Sequence, residues 1–294
     1  MTNKCLSLVV HGGAGAKKSR DYAREIAHMR EVVEAGREAL RGGASALDVV
    51  QAATRELELS GLYVAGRGAS PNTAGIYELD ACLMDGATGR AGSVAALQGF
   101  QSPVGVARCV MEKTPHVMLA GEGAAAFARE QGLEAIGDPK AWFTRAGTFE
   151  DNHPPGKLAH GTVGAVARDA QGRLAAATST GGVFGKLPGR VGDTPIIGSG
   201  GWADGTVAVS CTGQGEYFIR TSAASQVAFR MRFGGQSLEA ATAAVLAEIK
   251  ALGGDGGLIA VGADGAIAMP YVSEGMKRAG FSGDGEIVSA AFEG

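Results

Sequence analysis

The chain contains no apolar run near the roughly 18 residues needed to cross a bilayer. It has no basic block longer than Lys17-Lys18, and 27 basic against 30 acidic side chains leave a net charge of −3. Nothing therefore draws the molecule as a whole to nucleic acid or to an anionic membrane. Cysteine is scarce. Cys5, Cys82, Cys109 and Cys211 each stand alone in apolar text, with no Cys-x-x-Cys spacing, which argues against a thiolate zinc site and a redox pair. Lone buried thiols fit a reducing compartment, so a cytoplasmic location is expected. The opening MTNKCLSLVVHGG is broken by glycine too soon to read as a signal peptide. Only five histidines occur, none in a local triad-like motif, and no repeat of 20–50 residues is visible.

What the chain has in excess is glycine: 48 of 294 residues, roughly twice average usage. Most sit at turns between strand-like segments. Clusters such as Gly12-Gly13, Gly181-Gly182 and Gly213/Gly215 are placed to line a site built partly from main chain. Apolar periodicity predicts a strand over 5–10 running into a loop at 11–16, and helices over 21–40 and from Ser45-x-x-Asp48 to about 59. Strands are expected over 76–84 and 92–98, helices over 103–112, 123–130 and 139–145, and a short strand over 116–119. The polar stretch 147–160 holds Pro154-Pro155-Gly156 and reads as a linker. A hairpin follows, 162–168 and 173–180 around the turn 169–172. Further strands are expected at 206–211, 258–261 and 266–269, with helices at 216–233 and 237–252. Strands arriving in adjacent pairs favour antiparallel pairing, and two helical layers around stacked sheets is the natural packing.

The densest text runs from His160 to Glu216. It contains His160-Gly161-Thr162-Val163-Gly164, Thr178-Ser179-Thr180-Gly181-Gly182, Pro188-Gly189-Arg190-Val191-Gly192-Asp193 and Cys211-Thr212-Gly213-Gln214-Gly215-Glu216. A linker that ends in a small residue just before a threonine opening a strand is what self-cleavage requires. The hydroxyl must reach the preceding carbonyl, and Gly161 permits a strained turn there. A freed Thr162 would carry an α-amine of reference pKa near 8 beside its own hydroxyl, which is the amine-activated form of a nucleophile. If Arg168 pairs with Arg173, Thr162 falls opposite Ser179, one residue from Thr180. Taken singly, Thr162 is a β-branched strand residue, and Arg190 and Asp193 are a surface i,i+3 pair. A phosphate-binding reading of Gly12–Gly15 fails, because Lys17 precedes Lys18-Ser19 where a P-loop needs glycine.

Together these motifs resemble the plant-type L-asparaginase/isoaspartyl aminopeptidase family, a branch of the N-terminal-nucleophile hydrolases. The resemblance runs from Val10-His11-Gly12-Gly13-Ala14-Gly15 through Leu79-Asp80-Ala81 and Met84-Asp85-Gly86 to 253–257. It implies one α+β domain, a four-layer αββα sandwich, cut into 1–161 and 162–294 and paired as a homodimer of cleaved αβ units. It also implies hydrolysis of L-asparagine and β-aspartyl dipeptides, with glycosylasparaginase activity as the alternative. Residue by residue, Thr162 matches the nucleophile and Thr180 the hydroxyl that orients it. Arg190 matches the α-carboxylate ligand, Asp193 the α-amino ligand, Thr212 and the Gly213 N–H the oxyanion donors, and Gly215 the amine pocket. No catalytic cofactor is implied. A structural sodium would be held by backbone carbonyls near Leu57, Glu58, Ser60 and Tyr63. One segment departs from the pattern: where the branch has a Phe-Asn-Ala-Gly-type loop, this chain reads Tyr63-Val64-Ala65-Gly66. The stretch Gly68-Ala69-Ser70-Pro71-Asn72 is closer to the glycosylasparaginases.

Overall fold

The computed structural model describes residues 5–144 and 161–293. The strands and helices in chain order are β1 (Ser7–Ala14), α1 (Ala23–Arg41), α2 (Ala46–Leu59), β2 (Leu79–Asp85), β3 (Ala91–Leu97), α3 (Pro103–Lys113), β4 (Met118–Ala120), α4 (Gly121–Glu130) and α5 (Pro139–Trp142). The second half contributes β5 (Val163–Arg168), β6 (Leu174–Thr180), β7 (Gly201–Ala203), β8 (Val207–Gly213), α6 (Gly215–Thr221), α7 (Ala223–Arg232), α8 (Leu238–Ala251), β9 (Gly256–Gly262), β10 (Ile267–Ala268), β11 (Met276–Ser282) and β12 (Val288–Ala290). One sheet has the order β12-β11-β1-β5-β6-β2-β3-β4 and the other β10-β9-β8-β7. Among the described strands, only the β3–β4 pairing is parallel. Among the described residues no helix is long and apolar enough to cross a membrane.

The period-2 alternation of strands sorts the core into three seams. Leu8, Val10, Val163, Ala165, Ala175 and Ala177 face α1, α2 and α3. Val9, Val166, Ala176, Ala208 and Ile259 meet between the two sheets. Val207, Val209, Leu258 and Ala260 face α7 and α8. Three seams separate four layers, so the expected αββα sandwich is the fold. The central strands are buried on both faces, which is why they read as continuous apolar text.

Helix α2 starts where expected, with Ser45 Oγ accepting from the Asp48 N–H at 3.1 Å. Other expectations need correction. The 11–16 segment is not all loop, since β1 continues to Ala14 past an irregularity between His11 and Ala14. The expected helix over 216–233 is two helices broken at Ser222, which adopts φ +49°. The break lets the first amides of α7 dock on the 198–199 loop: Ala224 N–H donates to Ser199 O and Ser225 N–H to Gly198 O. The helix expected over 139–145 is a single turn ending at Trp142. Strands β7, β11 and β12 were not expected. Lys277-Arg278 disguises β11, although it pairs with β1 along its length. The linker reading of 147–160 lies outside the described residues.

The hairpin register is shifted by one from expectation: Arg168 pairs with Leu174 and Val163 with Ser179. The Asp169 carboxylate causes the shift. Its Oδ1 accepts the N–H groups of Gln171 and Arg173 at 2.9 and 3.0 Å, drawing Arg173 into the turn. Thr162 is thereby aligned with Thr180, not Ser179.

Helix α3 lies hard on β3. A Cβ at Gly92 would sit 2.0 Å from the Ala107 carbonyl oxygen and 2.8 Å from Met111 N. These are backbone atoms and cannot swing aside. Gly92→Ala should therefore cost about 1–3 kcal/mol as an overpacking defect, read as a lower urea midpoint at unchanged m-value. An unchanged midpoint would contradict this contact.

Candidate active site

Stepping two residues at a time along the inter-sheet seam leads into the site. The apolar layer is Val9, Val166, Ala176 and Ala208. The next step along β1, β5, β6 and β8 is His11, Gly164, Thr178 and Ser210. The step after that is Gly13, Thr162, Thr180 and Thr212. The ladders hold these residues in rows, with Val9 opposite Val166 and His11 opposite Gly164, and Gly164 opposite Thr178. One face of the seam thus brings three of the threonines expected to act together.

The middle layer is a buried polar plug. His11 Nδ1 lies 3.1 Å from the Thr162 carbonyl oxygen and Nε2 lies 2.9 Å from Ser210 Oγ. A carbonyl oxygen can only accept, so Nδ1 carries the proton and Nε2 accepts from the serine. Burial lowers the His11 pKa to about 3, which keeps the ring neutral and this tautomer in place. With the Ser210 proton given to His11, Thr178 Oγ1 donates to Ser210 Oγ at 2.8 Å and shares its proton with Gly200 O at 3.1 Å. The ring fits because Gly164 has no side chain: a Cβ there would lie 2.6 Å from Nε2 and 2.0 Å from Ser210 Oγ.

The next layer holds the nucleophile candidate. Thr162 Oγ1 donates to Thr180 Oγ1 at 3.3 Å. Thr180 Oγ1 also accepts the Gly182 N–H at 2.9 Å and donates to the Gly161 carbonyl at 2.8 Å. One hydroxyl therefore links the Thr162 hydroxyl to the carbonyl immediately before it. Across the seam, Thr212 Oγ1 accepts the Ala14 N–H at 3.1 Å, which leaves its own proton free to donate elsewhere. Gly213 is pinned beside it, since a Cβ would lie 2.5 Å from Asp255 O and 2.6 Å from the Phe218 ring.

Arg190, Asp193 and Gly215 also meet. A Cβ on Gly215 would lie 2.8 Å from Asp193 Oδ1 and 3.1 Å from Arg190 Nη2. Asp193 is buried, its Oδ2 has no hydrogen-bond partner among the described residues, and burial raises its pKa to about 7. A cationic group arriving there would find an unspent acceptor. Arg190 is engaged bidentately by Glu216, Nε to Oε1 at 2.9 Å and Nη2 to Oε2 at 2.8 Å. That carboxylate occupies the fork in the way a ligand carboxylate would.

Several residues at the site were not anticipated. Glu216 closes the Cys211–Glu216 motif, with nothing in the sequence to mark it as a partner of Arg190. Lys186 is buried and donates to Glu78 O at 2.7 Å; desolvation lowers its pKa. The Glu78 carboxylate holds Asn72 Nδ2 and Gly189 N, both at 2.9 Å, fixing the loop that carries Arg190. Asp80, in line with Thr180 across β2–β6, accepts the Ala96 N–H at 2.7 Å and is pushed up to about 6 by burial. A lysine and three acids flanking glycine-rich text were legible, but which of them would be buried was not.

The candidate cation loop is a turn after α2. Leu57 O accepts Ser60 Oγ at 2.9 Å, and Tyr63 O accepts Ala65 N at 2.8 Å. Both of these carbonyls keep a second lone pair, the kind of donor an oxygen-seeking cation takes. Glu58 points its carboxylate elsewhere, to Ser102 Oγ and Val104 N at the start of α3, and burial raises its pKa to about 7. Among the described residues no cluster of three or more His, Cys, Asp or Glu could hold a metal.

Asp193, Glu58 and Asp80 all keep protons in the folded chain that the unfolded chain releases near pH 4. Their contribution to stability is full below about pH 4 and is lost as pH rises through 6–7. Asp193→Asn should flatten part of the fall in Tm between pH 5 and pH 8. A variant with the same slope as its parent would show that Asp193 does not carry this cost.

Comparison with known proteins gives the same direction. The asparaginase family model matches residues 4–288. An isoaspartyl peptidase of Salmonella typhimurium is 47% identical over 300 residues, covering 94% of this chain and 96% of the relative. A plant-type L-asparaginase of Pyrobaculum calidifontis is 42% identical, covering 96% and 98%. An isoaspartyl peptidase/L-asparaginase of Bos taurus is 39% identical, covering 92% and 91%. With its αββα layers and a match spanning almost its whole length, the chain belongs to the asparaginase family and has the N-terminal-nucleophile hydrolase fold.

Proposed function

We propose that the chain cleaves itself between Gly161 and Thr162, and that the matured Thr162 hydrolyses the side-chain amide of L-asparagine and β-aspartyl dipeptides. The observation that carries this is the hydrogen-bonded run from Thr162 Oγ1 through Thr180 Oγ1 to the Gly161 carbonyl. In maturation, Thr162 Oγ attacks the Gly161 carbonyl carbon, and the proton it loses passes to the departing α-nitrogen as the C–N bond breaks. Thr180 stabilises the developing oxyanion. Water then hydrolyses the resulting ester, leaving Gly161 with a carboxylate and Thr162 with a free amine.

In turnover that amine takes the Thr162 hydroxyl proton, and Oγ attacks the substrate carbonyl. Thr212 Oγ1–H and the Gly213 N–H receive the oxyanion. Arg190 grips the substrate α-carboxylate once Glu216 yields it, and Asp193 takes the α-ammonium, with Gly215 leaving room between them. The acyl-enzyme is hydrolysed by water. This chemistry uses side chains, main chain and the new amine alone. A sodium ion on the carbonyls of Leu57, Glu58, Ser60 and Tyr63 would brace the turn beneath Val64. Pairing of two cleaved αβ units and a cytoplasmic location complete the proposal.

An intact-mass spectrum should show two chains, 1–161 and 162–294, the smaller beginning at Thr162. Thr162→Ala should stay whole and inactive, and Thr180→Val should cleave at least about 10²-fold more slowly, as loss of one oxyanion donor does. Sequencing that finds a single uncut chain in the parent protein after prolonged incubation would sink self-cleavage.

The clamp also fixes which amides are cut. A ligand satisfying Arg190 and Asp193 needs a free α-carboxylate and a free α-amine on one carbon. β-Asp-Leu and L-asparagine meet this; α-Asp-Leu has spent its α-carboxylate in the peptide bond. α-Asp-Leu has no α-carboxylate with which to displace Glu216 from the Arg190 fork, so it should be cut at least about 10⁴-fold less efficiently. Comparable leucine release from the two dipeptides would require withdrawing the substrate assignment.

A further inference from the structure

We infer that Val64 is the wall of the leaving-group subsite and selects β-aspartyl substrates whose leaving amino acid is apolar, an inference that rests on the reading above. Gly161 occupies a slot with three sides. A Cβ on it would lie 2.6 Å from both Val64 Cβ and Val64 Cγ2. On a second side stands Gly13, at φ +99°, where a Cβ would lie 3.1 Å from Gly161 Cα and 3.2 Å from Thr162 N. The third side is Thr180, whose hydroxyl holds the Gly161 carbonyl. Val64 is itself fixed to the strand that carries Thr180, because its carbonyl accepts the Gly181 N–H at 2.8 Å.

Cleavage frees Gly161 from Thr162 and lets it vacate this slot. The slot then lies against the new amine and the nucleophilic hydroxyl. A substrate straddles Thr162. Its aspartyl half is held on the side of the second sheet, by Arg190, Asp193 and Gly215 beyond β8. Its leaving group must project to the other side, where β1, β6 and the Val64 turn form the surface. The three atoms nearest a Cβ at Gly161 all belong to Val64, so the wall of the slot itself is apolar. An amino acid departing there with an aliphatic side chain buries apolar area against Val64. One with a polar side chain of the same shape leaves its amide unpaired, a penalty of the kind that separates isosteres in binding pockets.

The same contact makes glycine obligatory before the nucleophile. Val64 Cβ cannot move away from its own backbone, so any side chain at 161 meets it.

The test uses the cleaved enzyme and the isosteric pair β-Asp-Leu and β-Asp-Asn, comparing kcat/KM. The parent should favour β-Asp-Leu by about tenfold or more, and Val64→Thr, which keeps the shape and adds a hydroxyl, should shrink that ratio at least about threefold. A parent ratio near one, or a ratio unmoved by Val64→Thr, would overturn the subsite while leaving the hydrolase intact. No turnover of either dipeptide by fully cleaved protein would instead overturn the function on which it rests. Maturation gives a second readout that needs no substrate. Gly161→Ala should remain uncut, and Val64→Gly in that background should restore cleavage, whereas Val64→Ala, which keeps the offending Cβ, should not. Cleavage of Gly161→Ala alone at the parental rate would also overturn the inference.

Discussion

The arrangement rests on two sheets stacked so that one face of each strand must be filled from both sides. Val9, Val166, Ala176 and Ala208 satisfy that demand with apolar volume. Two residues further along, the same face is filled by His11, Thr178 and Ser210, a set that bonds to itself and to the main chain. Buried polar groups are tolerated only when they are paired. Here pairing does more than avoid a penalty. The His11 ring, kept neutral by burial, fixes the Thr162 carbonyl, and so the peptide plane that starts β5. In the next row the Thr162 hydroxyl is directed to Thr180 Oγ1. The main chain from which Thr162 Oγ projects is thus placed by sheet packing.

That dependence explains what was legible in the sequence. The strand pairs, the capped start of α2 and the fourfold layering follow from local patterns such as Ser45-x-x-Asp48 and the alternation around 162–180. The threonines, Arg190, Asp193 and Gly215 could be picked out because short motifs surround them. Their assembly could not be read locally, since it depends on register. The one-residue error in the hairpin would have pointed Ser179 at the site. Asp169, an unremarkable turn residue in the text, corrects it by drawing Arg173 into the turn. Strand β11 escaped notice because Lys277-Arg278 breaks the apolar pattern. Ser222 split a helix whose apolar period runs through it, because the reason lies in the carbonyls of Gly198 and Ser199, far away in pattern terms. The burial of Lys186, Glu78 and Asp80 was equally invisible, because charge tells nothing of depth until the sheets are stacked.

On the proposed reading, the electrostatics of the site suit a zwitterion. Asp193 and Asp80 are raised chiefly by desolvation, and each has a carboxylate oxygen without a partner among the described residues. Burying ionisable groups in this way lowers stability and is worth keeping where a ligand supplies the missing charge. Arg190 is treated differently: it has a partner, but that partner, Glu216, is half exposed and so cheaply displaced. An ammonium and a carboxylate on one carbon answer both conditions together. An ammonium alone would leave Glu216 on the fork, and a carboxylate alone would leave Asp193 without its cation, so on the proposed reading selectivity for the α-carbon belongs to the pair.

On this reading a single hydroxyl meets two electrophiles, and the rows of the seam keep the two events apart. The Gly161 carbonyl is met by Thr180 on the neighbouring strand of the same sheet. A substrate carbonyl is met by Thr212 and Gly213 on the facing sheet. Thr180 is saturated in the uncut chain, with two bonds accepted and one donated. Once Gly161 departs, its donated bond is free, and Thr162 gains an amine beside it. Thr212 changes less: Ala14 N–H occupies one lone pair throughout, and its proton is available from the start. Maturation therefore alters the donor on the first sheet and leaves the donor on the second unchanged. The space opened between them is the slot that Gly161 filled, and its wall is Val64. The residue that constrains the precursor is thus the one that borders the leaving group in the mature enzyme, so a change at position 64 must act on both steps.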